Sequence, residues 1–125
     1  MQKFEGLVLD LKNPPLGMKF SENCDISYSE KVLVYYSGFC ERLLGRFVGV
    51  ATLTKDQDKL ICTANITDEF SHIENEYFVS GYYKNIQSYM EGNVHVIDSA
   101  TLSNIVILCE EDAIDENLRI KRITR

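Results

Sequence analysis

Apolar positions in this chain recur mostly at every second residue, the spacing of a pleated strand rather than a helix. Val32, Val34 and Tyr36 alternate with Leu33 and Tyr35. Phe47, Gly49, Ala51 and Leu53 alternate with Val48, Val50, Thr52 and Thr54, and Leu60, Cys62, Ala64 and Ile66 with Ile61, Thr63 and Asn65. These runs are rich in β-branched and aromatic residues, which fit a pleated, half-buried surface. The polar segment Lys55-Asp56-Gln57-Asp58 reads as a four-residue turn, making 46–54 and 59–66 a hairpin. Further strands are predicted over 3–11, 76–84, 93–98, 102–109 and 118–124. Pro14-Pro15-Leu16-Gly17 is a loop, because proline cannot donate to a ladder. Glu91-Gly92-Asn93 is a tight turn between the segments 82–90 and 94–97. A helical turn over 39–44, stopped at Gly45, and a short helix over 68–75 complete the reading. Many short strands need closure to hide their edges. The expected fold is therefore mainly β: a small barrel or rolled antiparallel or mixed sheet with one or two short helices, in one domain over 1–125.

Composition narrows the partners. At 125 residues and 45% hydrophobic content, the chain can bury a core without metals or disulfides. Its net charge of −6 argues against nucleic acid, which needs a basic face, and against an anionic membrane surface. Cys24, Cys40, Cys62 and Cys109 contain no close-spaced pair, so zinc is not expected. Cys62 and Cys109 stand in apolar runs and read as buried free thiols. The first residues lack the pattern of a secretory signal, and no apolar run is long enough to span a bilayer. Both point to synthesis in a reducing cytoplasm. Near the C-terminus, Glu110, Glu111, Asp112, Asp115 and Glu116 form an acidic loop without the glycine and ligand spacing of an EF-hand. Arg119, Lys121, Arg122 and Arg125 follow it, to meet an acidic partner or acidic neighbours of the same chain.

Candidate chemistry is sparse, and no cofactor is implied. There is no glycine-rich phosphate loop. Gly49, inside a strand, marks a bulge or a close backbone approach. His95 falls on the strand face opposite Val94 and Val96, and His72 sits in a polar stretch. Ser80, within Phe78-Val79-Ser80-Gly81-Tyr82, is the serine to compare with a nucleophile, which needs a base in reach and an orienting group. Seven tyrosines are many for this length. In the adjacent pairs Tyr35/Tyr36 and Tyr82/Tyr83, one ring of each points in and one out. Exposed tyrosines supply rigid contact area at interfaces.

From residue 32 to 123, the order of segments resembles the prohead proteases of tailed bacteriophages, relatives of the herpesvirus assemblins. The resemblance runs from an apolar strand, Val32 to Tyr36, to the glycine-containing strand Gly45-Arg46-Phe47-Val48-Gly49-Val50-Ala51. A short acidic turn and a strand from Leu60 to Ile66 follow, then Phe78-Val79-Ser80-Gly81-Tyr82, and a last strand from Leu102 to Leu108 with Ala113 beyond. The resemblance implies a compact β-barrel with a nucleophilic serine in an F-S-x-G-Y segment and a histidine after the first strand. Here Val79 stands where that serine would be, and Ser80 comes one residue later. A one-residue shift in a strand reverses the face. The segment expected to hold the histidine reads Ser37-Gly38-Phe39-Cys40. The resemblance therefore implies a kept fold without the protease's catalytic residues. The corresponding function is a non-catalytic virion protein bound to the major capsid protein, or another virion protein, as a homo-oligomeric auxiliary subunit. Tyr35, Tyr36, Tyr82, Tyr83, Arg119, Lys121 and Arg122 are its candidate binding residues. The alternatives are a maturation protease using Ser80 with His72 or His95, and a small protein that binds a host target.

Overall fold

A computed structural model describes residues 2–37, 46–68, 75–108, 115 and 117–123. Seven strands are present: β1 (Gln2–Asp10), β2 (Met18–Ser37), β3 (Arg46–Asp56), β4 (Lys59–Ile66), β5 (Glu76–Glu91), β6 (Val94–Leu108) and β7 (Arg119–Arg122). They form a closed barrel in the order β1-β4-β3-β2-β6-β5-β7. Every neighbouring pair is antiparallel except β2 with β6. The fold is mainly β, as the alternation predicts. The two expected helical segments, 39–44 and most of 68–75, lie outside the described residues, and no helix occurs among those described.

Alternation places the core. On β4, Leu60, Cys62, Ala64 and Ile66 are all buried, while the residues between them are not. Val34, Val48, Val79, Leu102, Ile105, Ile107 and Ile120 join them inside, each 1% exposed or less. The rings of Phe4 and Tyr77 meet at 5.3 Å and link β1 to β5. Between those two strands runs β7, only four residues long. Its Ile120 faces Gly6 of β1 on one side and Tyr77 of β5 on the other. A Cβ on Gly6 would overlap the Arg119 carbonyl oxygen, so only glycine lets the closing strand approach. Gly49 makes a similar close approach to backbone, against the Asn65 carbonyl oxygen. Beside it the β2–β3 register shifts between Val34 and Tyr35.

Several boundaries differ from expectation. The hairpin turn is two residues, not four: Lys55 pairs with Leu60 and Asp56 with Lys59, leaving Gln57-Asp58 as the turn. Gln57 takes a positive φ of 56°, which allows so short a connection. The expected strands 93–98 and 102–109 are one strand, β6, and the expected segments 76–84 and 82–90 are likewise one strand, β5, which ends at Glu91. The first half of β2 carries no strand prediction at all. Its polarity explains this: the ladder to β6 is interrupted between Phe20 and Asp25 and again between Tyr28 and Leu33.

These longer strands build an arm beyond the barrel. There β6 is the middle strand, paired with the first half of β2 and with β5 from Lys84 to Glu91. Gly92, with φ 63°, turns the chain between β5 and β6. A cleft of about 70 Å³ where the arm meets the barrel is lined by Phe20, Ile26, Tyr83 and Ile97 among others.

Gly6→Ala is expected to destabilise the protein by roughly 1–3 kcal/mol through overpacking. Urea unfolding with tryptophan-independent far-UV detection measures this. An unchanged midpoint would contradict the tight β1–β7 approach.

Candidate functional site

Strand parity decides the fate of the candidate nucleophile. On β5, Val79 is 1% exposed and points into the core. Ser80 is therefore turned outward, half-buried, and its Oγ donates to the adjacent Gly81 carbonyl at 3.3 Å. Ser80 pairs with Val106 near one end of β6, whereas His95 lies near the other end. At about 3.3 Å per residue the two sites are roughly 35 Å apart along the strand. His95 therefore cannot serve Ser80 as a base. Its Nε2 instead lies 2.7 Å from Ser88 Oγ, across the arm's exposed β5–β6 ladder. Sequence reasoning did not single out Ser88, because the cross-strand register that joins it to His95 is not visible in either segment. No carboxylate orients this imidazole among the described residues. His72 lies outside the described residues.

The two described thiols, Cys24 and Cys62, are also outside any reactive arrangement. Cys62 is fully buried, and its pKa is pushed up to about 12, chiefly by burial and further by Glu5. Cys24 is half-buried beside the arm, and burial raises its pKa too. Cys40 and Cys109 are outside the described residues. Among those described, no group of three or more His, Cys, Asp or Glu side chains could hold a metal.

The tyrosine pairs separate as adjacent strand residues must. Tyr36 and Tyr83 pack against the core, and burial pushes the Tyr83 hydroxyl's pKa upward. Tyr82 is exposed on the outer face, and Tyr35 sets its ring edge-on to Phe47 at 5.9 Å. These outward rings belong to a larger apolar surface. Tyr35 stands between Phe47 on β3 and Val106 on β6. In the adjoining row Leu33 stands between Val50 and Asn104, and Asn104 leads on to Tyr82 of β5. Phe47 is 54% exposed, and Leu33, Val50 and Tyr82 are exposed with it. Exposed apolar side chains thus stand on β3, β2 and β5 of the outer wall, with half-buried Asn104 of β6 between Leu33 and Tyr82.

Leu33, Phe47 and Val50 were not singled out as binding residues from the sequence. The signal was there: Val32 to Tyr36 and Phe47 to Val50 are apolar on both strand faces. In a barrel only one face enters the core, so the other must lie outside.

The basic strand is largely answered within the chain. Arg119 Nη1 bonds Glu76 Oε1 at 2.7 Å, and its guanidinium lies 5.1 Å from the Phe78 ring centre. Lys121 approaches the other oxygen of Glu76 at 3.9 Å. The hydrogen bond from Arg119 leads the effects that hold the Glu76 carboxyl below its ordinary pKa. Arg122 is exposed at the end of the same strand. The acidic loop before it lies mostly outside the described residues, although Asp115 Oδ1 accepts from the Asn117 amide at 2.9 Å.

Compared with protein families, curated proteins and solved structures, the chain shows no match. No helix among the described residues is long and apolar enough to cross a membrane.

A serine-directed fluorophosphonate probe is expected to leave Ser80 unmodified, because His95 is out of reach and the hydroxyl is bonded to backbone. Peptide mass mapping checks this; an adduct at Ser80 lost on denaturation would show an activated serine instead.

Proposed function

We propose that this chain is a non-catalytic bacteriophage structural protein that binds the capsid as an auxiliary, head-stabilising subunit. The observation that carries the binding reading is the outer apolar band of Leu33, Tyr35, Phe47, Val50 and Tyr82. Exposed apolar surface of this kind favours association, since covering it releases water at about 25 cal/mol per Å². Its two aromatic anchors, Phe47 and Tyr82, lose little side-chain entropy on docking. The viral assignment rests on the order of segments that resembles the prohead proteases. The outward turn of Ser80 agrees with a barrel used for binding rather than for acyl transfer.

Phe47 and Tyr82 lie in the band itself, whereas Arg119 and Lys121 are engaged with Glu76. The basic strand therefore contributes steering at most, with Arg122 exposed at its end. The capsid contact is expected to survive moderate salt, because apolar burial dominates it.

Quantitative mass spectrometry of purified mature particles tests the proposal. The chain is expected in a fixed ratio to the major capsid protein. Phe47→Asp combined with Leu33→Asp is expected to fold and to be lost from particles. Absence of the unaltered chain from mature particles would overturn the capsid assignment and bring the host-target reading forward.

A further inference from the structure

The barrel is closed, but the arm is not. On its outer side β5 is paired with β7 only from Glu76 to Phe78. From Lys84 to Glu91 that edge has no partner strand among the described residues. A row of unpaired N–H and C=O groups is a template for another strand. The opposite edge of the arm, on β2, is guarded by exposed Glu22 and Asp25 and by the broken ladder between Phe20 and Asp25. On the β5 edge the ladder to β6 also shifts register on either side of Gln87, and Asn85 takes a positive φ of 53°, but the middle of this edge lacks the acidic side chains of β2. The central residues of the β5 edge, Ile86 to Met90, carry no charge. Ile86 is 50% exposed, Tyr89 48% and Met90 62%.

We infer that the β5 edge pairs antiparallel with the β5 edge of a second copy of this chain, joining two arms into one continuous sheet. A two-fold axis perpendicular to the sheet leaves each residue on its own face. Residues standing opposite each other must then share a face. Ser88 stands opposite Ile97 on β6, and Ile86 lines the same cleft as Ile97. Met90 lies two residues beyond Ser88, so Ile86, Ser88 and Met90 occupy one face. An axis at Ser88 sets Ile86 opposite Met90 of the second copy, and Met90 opposite Ile86. Apolar side chains meet apolar side chains on both sides of the axis. Beyond each end of the paired segment, Lys84 comes within one residue step of Glu91 of the second copy, a charge of opposite sign. The edge is thus complementary to itself.

Pairing of about five residues per strand, Ile86 to Met90, buries roughly 800 Å² in total, below the size of a standard specific interface. The dimer is accordingly weak, and the net charge of −6 on each copy opposes it. Added salt should therefore tighten it. This inference does not depend on the capsid reading, which uses the outer face of the barrel.

Sedimentation equilibrium from low micromolar to millimolar concentration tests it. The mean mass should rise from 14.3 kDa towards twice that value, more readily at higher salt. Met90→Lys, at an exposed position, should remain monomeric with an unchanged circular dichroism spectrum. Ser88→Cys should form a disulfide-linked dimer on mild oxidation that the unaltered chain does not form, because opposed Cα atoms at the axis lie about 5 Å apart. A monomer at all concentrations overturns the inference. So does a dimer indifferent to Met90→Lys, or one in which Ser88→Cys does not cross-link.

Discussion

The contact on which this architecture depends is the seating of Ile120 between Gly6 and Tyr77. β7 is a strand of four residues, yet it joins the two ends of a sheet whose other ladders are far longer. Ile120 is completely buried, and the Phe4–Tyr77 ring contact lies beside it. Gly6 supplies the space, and Glu76 holds Arg119 and Lys121 across the closing ladder. Without that strand, β1 and β5 would both present open edges.

Closure determines where function can reside. The inward positions are taken by packed aliphatic and aromatic side chains, with Ala51 and Ala64 where strands come close. Among the described residues, the outer wall and the arm are what remains for recognition. The wall presents Phe47 and Leu33 to solvent, and the arm presents an uncharged strand edge. Catalytic residue types occur on this scaffold but at separated places. Ser80 lies on the barrel and His95 near the tip of the arm, so the length of β6 stands between them. The protein thus offers two surfaces of different chemistry, one apolar and broad, the other a row of backbone groups.

Much of the barrel was legible because its strands bury one face only. Leu60, Cys62, Ala64 and Ile66 spell the core side of β4, and parity alone separates Val79 from Ser80 and Tyr82 from Tyr83. Gly49 was legible as a close approach for the same local reason. The arm was not. From Met18 to Glu30, β2 lies outside the barrel wall that β3 completes, and its ladder breaks scatter Phe20, Ile26 and Tyr28 out of a single period. The parallel β2–β6 pairing, the Ser88–His95 contact and the outer apolar rows all depend on long-range register, which no local pattern carries.

Residue-resolved hydrogen exchange on a dilute sample tests closure and the open arm together. If the barrel is closed as described, the Gly6 and Ile120 amides that join the β1–β7 and β5–β7 ladders exchange only through global unfolding, as slowly as those of β4. Amides on the outer edge of β5 between Lys84 and Glu91 exchange quickly under the same conditions. Rapid exchange at Ile120, with β4 still protected, would show that β7 does not close the sheet and would contradict the account.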